Sequence, residues 1–213
     1  MHTSVILEQA ISPKIRLEPW AMPEHIRDRF RALRAFLTAS MRESQVVAVT
    51  SPSRGEGVSW VCSRLACALA ESGRPTVLVD AHAAHPTQAG LFGIARKKAT
   101  PAEDFRKWQV APKLIIAEAD PEGGLESLRS TISRLAFPGR TVLIDCPPLT
   151  AGAMAVELGA VVDGVLLVVE AGNQDRDVVA QTVLQVQRAG LRVMGAVLNK
   201  RRQYIPRLLN RSL

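Results

Sequence analysis

Short, uninterrupted aliphatic runs recur along the chain, separated by stretches in which apolar residues return every third or fourth position. Val46–Val49, Val77–Val79, Val142–Ile144 and Val165–Val169 carry no polar residue, the pattern of strands buried on both faces. With their flanks they predict strands over about 45–50, 76–80, 140–146 and 165–169, the last of them central. Lys113–Ala117 and Leu191–Leu198 read as two more. Helical spacing appears first over about Pro23–Met41, where Pro23 suits a first turn and Ile26, Phe30, Leu33 and Leu37 share one face. A second helix is predicted over Val58–Ser72, with Val61, Leu65 and Leu69 inward and Gly73 ending it. Leu125–Leu135, Ala153–Gly159 and Asp175–Ala189, closed by Gly190, complete the set. Residues 87–112 show no clear period and predict short or irregular structure. Strands that alternate with helices make parallel pairs, and the crossovers cover both faces of the sheet. The expected architecture is a doubly wound, mostly parallel α/β domain.

Length and composition set limits. The 213 residues suit one domain. Residues 1–22, with Pro13 and Pro19 and little periodicity, read as an extended arm. The domain spans 23–200, and 201–213 form a basic tail. The core must be aliphatic, because 47% of the chain is hydrophobic and only 4% aromatic. A formal charge of +7 is compatible with anionic partners without selecting one; nucleic acid is not expected. Cys62, Cys67 and Cys146 have no metal-ligand spacing and read as buried thiols of a reducing cytoplasm. His2, His25, His82 and His85 form no metal motif. No apolar run follows the first residues, so no secretory signal is expected. Glu157, Asp163 and Glu170 interrupt the most apolar region, so no membrane span is expected either.

The candidate chemistry lies at the ends of the predicted strands. Between Thr50 and Trp60 a buried strand runs through a small-residue loop into a helix, the layout in which backbone N–H groups and a helix N-terminus hold phosphates. Ser53, Arg54, Gly55, Glu56, Gly57, Val58 and Ser59 would wrap a diphosphate. The Ser59 hydroxyl is placed for Mg²⁺. Asp145, at the end of its own apolar strand, is placed to hold that ion through water, and Asp80 to assist the metal or orient a nucleophile. Ligands of such sheets bind at the carboxyl ends of the strands, where Thr50, Asp80, Asp145 and Asn199 all fall.

Over about residues 15–200 these motifs resemble the bacterial tyrosine kinases of capsule and exopolysaccharide loci, within the MinD/ParA-like group of P-loop proteins. Thr50-Ser51-Pro52-Ser53-Arg54-Gly55-Glu56-Gly57-Val58-Ser59 resembles that family's Thr-Ser-x-x-Pro-Gly-Glu-Gly-Lys-Ser. Val77–His82 resembles its second acidic motif, Asp-x-Asp, and Val142–Pro148 its Walker B segment. Val162–Val169 and Gly195–Asn199 match its closing strands. Asp28–Arg34 resembles its Glu-x-x-Arg-x-x-Arg segment. The resemblance implies ATP or ADP with Mg²⁺ as ligand, with Asn199 at the nucleotide. It also implies ion pairs of Asp28, Arg31 and Arg34 between subunits of a homo-oligomeric ring. The implied partner is an inner-membrane polysaccharide co-polymerase, which would hold a cytoplasmic protein at the membrane.

The departures from the family pattern bear on activity. Val58 replaces the loop lysine, His82 the second acid, Ala84 a usual arginine and Met154 a frequent aspartate. A single tyrosine, Tyr204, stands where the family carries a phosphorylated cluster. The expectation is a scaffold or regulator of exopolysaccharide or capsule synthesis and export, impaired in ATP hydrolysis and phosphoryl transfer, with weak nucleotide binding. Two alternatives stay open. One is an active autokinase or ATPase that uses Arg54, Lys200 or a neighbouring subunit as its cation and modifies Tyr204. The other is a MinD/ParA-like ATPase of positioning or cellulose synthesis.

Overall fold

The aliphatic runs become the middle of a seven-stranded sheet. A computed structural model of the chain describes residues 18–39, 45–82, 85–94, 105–119, 121–151 and 154–200. Nearly all of the arm expected over 1–22 lies outside these residues, as do Ala84 and the tail with Tyr204. The strands are β1 (Gln45–Thr50), β2 (Thr76–Asp80), β3 (Phe105–Ala111), β4 (Leu114–Ala119), β5 (Thr141–Asp145), β6 (Gly164–Glu170) and β7 (Val193–Asn199). Their order is β3-β4-β2-β5-β1-β6-β7, and all pairs are parallel except β3 with β4. The helices are α1 (Glu24–Ala39), α2 (Val58–Glu71), α3 (Gln88–Leu91), α4 (Gly124–Leu135), α5 (Met154–Glu157) and α6 (Arg176–Arg188).

Period-two alternation divides each central strand between two cores. Val47 and Val49 of β1, Leu78 of β2, Leu143 of β5 and Leu166 and Val168 of β6 pack with Phe30 and Leu37 of α1 and Val61, Leu65 and Leu69 of α2. Their neighbours Val46, Ala48, Val77, Val79, Val142, Ile144, Val165 and Leu167 pack on the other face with Leu128 and Ile132 of α4 and Val186 of α6. Strands covered on both faces must be apolar at every position, which is why the runs carry no alternation. Gly73 and Gly190 follow α2 and α6 in the left-handed conformation, at φ 84° and 77°. Asp175 caps α6 by accepting from the Asp177 amide at 3.1 Å. Cys62, Cys67 and Cys146 are buried free thiols, and burial pushes all three above the usual thiol range.

The expectation of short or irregular structure over 87–112 needs correction. α3 is a single turn, but Phe105–Ala111 is a full strand, antiparallel to β4 through the turn at Pro112-Lys113. It is an edge strand, so Phe105 and Val110 are buried while Lys107 and Gln109 are exposed. Half-buried edge strands tolerate basic residues, and that composition hid its period.

The topology fixes where chemistry can occur. β1 lies between β5 and β6, and the chain leaves it into the loop. Asp80 stands opposite Asp145 across β2 and β5, and Glu170 opposite Asn199 across β6 and β7. All four strand ends therefore meet the same edge of the sheet.

Candidate functional site

The loop between β1 and α2 is held from three sides. Thr50 Oγ1 donates to the Pro147 carbonyl at 2.7 Å and the Leu149 amide to the Ser51 carbonyl at 2.9 Å, so the exit of β5 is tied to the loop's first residues. Gly55 and Gly57 take φ of 85° and 90°, which side chains rarely adopt. Gly57 is constrained twice, because a Cβ there would stand 2.4 Å from Asn199 Nδ2. Asn199 Nδ2 itself donates to the Glu56 carbonyl at 2.8 Å. Lys200 Nζ donates to the Gly55 carbonyl and pairs with Glu170 at 3.0 Å.

Glu56 was placed in the cradle for its backbone, and its side chain turns inward. It is buried, and its two oxygens accept from the Ser53 and Glu170 amides, each at 2.8 Å. The loop thus carries its own internal anion, stapled to the end of β6. Ser53 is half-buried and Arg54 exposed. Val58, the first residue of α2, is 8% exposed and packs into the core on the α1–α2 face. Trp60 stands outside the loop, its ring 5.6 Å from that of Phe30 and 4.1 Å from the buried Arg64 guanidinium.

Behind the loop lie the acids. Asp80 Oδ2 accepts from the Thr87 and Gln88 amides at 2.6 and 2.8 Å, and Oδ1 from the His82 amide at 3.0 Å. Asp80 is therefore also the residue that pins the start of α3 against the sheet. His82 Nδ1 lies 3.2 Å from Asp80 Oδ1 and 3.7 Å from Asp145 Oδ2. Gln88 Nε2 bridges the Ser59 carbonyl at 3.1 Å and Asp145 Oδ2 at 2.6 Å. Burial pushes the Asp145 carboxyl up to about 6, helped by the charge of Asp80. The charge of His82 and the side chains of Gln88 and Ser59 pull the other way. Burial pulls His82 down, but its bond to Asp80 and the charges of Asp145 and Asp80 outweigh that and raise it.

An open cavity of about 1170 Å³ lies in front, with Arg54, Gly57, Val58, Ser59, His82 and Met154 among its lining residues. The structure so brings Ser53–Ser59, Asp80, Asp145 and Asn199 to one edge. It does not join Asp28, Arg31 and Arg34 to them. These lie on α1, where Arg31 pairs with Asp28 at 2.9 Å and Glu24 at 2.8 Å within the helix. Gln88 and Glu170 were missed as members of the site, whereas Lys200, weighed above as a substitute cation, does stand beside the loop. Gln88 sits in the segment without a period, and nothing local marks either of the two.

The cradle matches a diphosphate in shape, with left-handed glycines and a helix N-terminus. The residues around it depart from a Mg²⁺–nucleotide site at two positions. The position that should present an ammonium to the phosphates carries a buried isopropyl group. The second acid is an imidazole, a poor ligand for an ion that prefers oxygen.

Comparison with known proteins agrees with this architecture. No family model matches the chain. It is 26% identical over 190 residues to the tyrosine-protein kinase CpsD of Streptococcus agalactiae, covering 80% of this chain and 82% of that protein. The VpsO kinase domain superposes with a TM-score of 0.66 at 25% identity, covering 84% of this chain and 98% of that domain. The septum site-determining protein MinD of Pyrococcus horikoshii, solved with Mg-ADP, superposes with a TM-score of 0.60 at 19% identity over 72% of this chain and 69% of MinD.

Proposed function

We propose that this chain, a relative of the bacterial tyrosine kinases of capsule and exopolysaccharide loci on a MinD/ParA-like P-loop fold, works in exopolysaccharide or capsule assembly as a scaffold or regulator. In this reading it binds nucleotide weakly and transfers phosphoryl groups poorly or not at all. The observation that carries the reading is Val58, apolar and buried at the position of the loop lysine. A charge-assisted hydrogen bond contributes about 1.5–3 kcal/mol, so its loss weakens nucleotide binding by about tenfold to a hundredfold. Loss of one preorganised group facing developing charge slows a reaction by about 10²–10³. Two further features support the reading. Lys200, the cation beside the loop, is engaged by the Gly55 carbonyl and the Glu170 carboxylate. His82 occupies the position of an acid.

The partner in this reading is an inner-membrane polysaccharide co-polymerase, with the chain on the cytoplasmic side. None of the helices among the described residues is long and apolar enough to cross a membrane, so attachment would come through that partner. The exposed Asp28–Arg31 face of α1 is the surface offered to further copies of the chain. The deciding experiment measures ATP turnover with Mg²⁺ by the purified full chain and by Asp145→Ala. Background turnover in both supports the reading. Robust turnover that Asp145→Ala abolishes overturns it.

A second reading, an active autokinase or ATPase, draws on Arg54, an exposed cation that lines the cavity. It predicts phosphate on Tyr204 after incubation with ATP, and loss of that label in Arg54→Ala.

A further inference from the structure

The same substitution that spoils the Mg²⁺ site builds another kind of site. The side chains of Asp80, His82 and Asp145 each offer a ligand atom, and these atoms lie within 4.8 Å of one another. Two of the separations are 3.2 Å, from His82 Nδ1 to Asp80 Oδ1, and 3.7 Å, from His82 Nδ1 to Asp145 Oδ2. Ligands bound about 2.0–2.2 Å from a tetrahedral zinc ion stand about 3.3–3.6 Å from each other. The two separations from His82 lie close to that spacing.

Two further observations point to a cation as ligand. Asp145 is fully buried, and its Oδ1 makes no hydrogen bond of ordinary geometry, although the Ser59 side chain stands near enough to favour the charged form. Gln88, whose Nε2 donates to the same carboxylate, is also fully buried, and its Oε1 has no partner. Both orphans are acceptors, and leaving such an atom buried and unpaired costs about 1–3 kcal/mol. A divalent ion on the cluster would satisfy Asp145 directly, and its bound water could serve Gln88.

The outer contacts resemble those of a metal centre. The Thr87 and Gln88 amides orient the Asp80 carboxylate, and the Gln88 side chain orients Asp145. His82 is 24% exposed and lines the cavity, so an ion has a route in and a coordination position open to it. The donor set of one imidazole and two carboxylates selects the ion. Imidazole suits zinc, cobalt and other late first-row ions, whereas Mg²⁺ seeks oxygen ligands and keeps most of its water.

We propose that Asp80, His82 and Asp145 form a binding site for a divalent ion of the zinc class, entered from the cavity in front of the loop. This inference does not depend on whether the chain turns over ATP, and its test contains no nucleotide. The untagged full chain, stripped with chelator, is titrated with Co²⁺ and followed by its visible ligand-field absorption, with Zn²⁺ and Mg²⁺ as competitors. The expected result is one Co²⁺ per chain, displaced by Zn²⁺ and not by a large excess of Mg²⁺. His82→Ala and Asp145→Asn should each weaken binding at least tenfold, and His85→Ala should leave it unchanged. His82→Asp, whose fold is checked by circular dichroism, should lose Co²⁺ preference and gain Mg²⁺ binding. Absence of Co²⁺ binding, binding unaffected by His82→Ala, or displacement by Mg²⁺ as effective as by Zn²⁺ would overturn the proposal.

Discussion

Replacing Val58 with lysine tests the central inference most directly. Val58 opens α2 and is only 8% exposed, but it is among the residues that line the cavity, so the cavity is the side toward which a longer side chain would extend. A lysine stem can lie along the apolar wall while its ammonium reaches solvent or a phosphate. One charge-assisted contact to phosphate contributes about 1.5–3 kcal/mol, so Val58→Lys should tighten ATP binding by about tenfold to a hundredfold. Forcing a longer side chain against the α1–α2 core costs about 1–3 kcal/mol of stability. Val58→Met carries the added length without the charge and separates the two effects. Isothermal titration with ATP and ADP in Mg²⁺ reads binding, and urea midpoints read stability. The gain should shrink as salt rises, because it is electrostatic. If both variants fold and Val58→Lys binds ATP no more tightly than Val58→Met, the missing lysine is not what limits this loop.

Three further expectations can be checked by urea denaturation of chelator-treated protein. Gly57→Ala should lose at least about 1–2 kcal/mol from its left-handed backbone alone, and more from the approach to Asn199 Nδ2 at 2.4 Å. Gly55→Ala, which has open space around it, should lose only the backbone part, and equal losses would remove the role given to Asn199. Glu56→Ala leaves the Ser53 and Glu170 amides without their acceptor, at about 1–3 kcal/mol each. Glu56→Gln keeps one accepting oxygen and should cost about half as much, so a neutral result for Glu56→Ala would mean that water replaces the carboxylate. The folded-state carboxyl of Asp145 is raised from 3.8 to about 6, so its stabilising protonated form is present below the usual carboxylate value and lost as pH climbs through about 6. At about 1.4 kcal/mol per unit, this amounts to about 3 kcal/mol. Asp145→Asn should therefore exceed the parent in stability near pH 8 by about 2–3 kcal/mol and match it near pH 4, whereas a constant difference across that range would contradict the burial argument.

The loop keeps the shape of a phosphate cradle with valine at position 58. The loop is held by bonds that need no ligand: Glu56 to the Ser53 and Glu170 amides, Asn199 to the Glu56 carbonyl, and Lys200 to the Gly55 carbonyl. Its shape is therefore a property of the fold. A change of side chain at position 58 therefore need not release the backbone.

The sequence by itself determined the layered architecture and the place of the site. Aliphatic runs such as Val46–Val49 and helical spacings such as Ile26, Phe30, Leu33 and Leu37 are local periodicities, and burial on one or two faces imposes them directly. The loop glycines and the acids after β2 and β5 were legible for the same reason, since each stands at the end of a local pattern. Only the tertiary structure decided what those residues touch. The Glu56 carboxylate meets an amide 114 positions away, Gln88 meets Asp145 across 57, and Asn199 meets Glu56 across 143. Contacts over such separations leave no period in the chain, and β3, half-buried at the edge, left only a blurred one. The place of His82 was decided the same way, by the strand register that sets Asp80 opposite Asp145 and leaves the imidazole within reach of both.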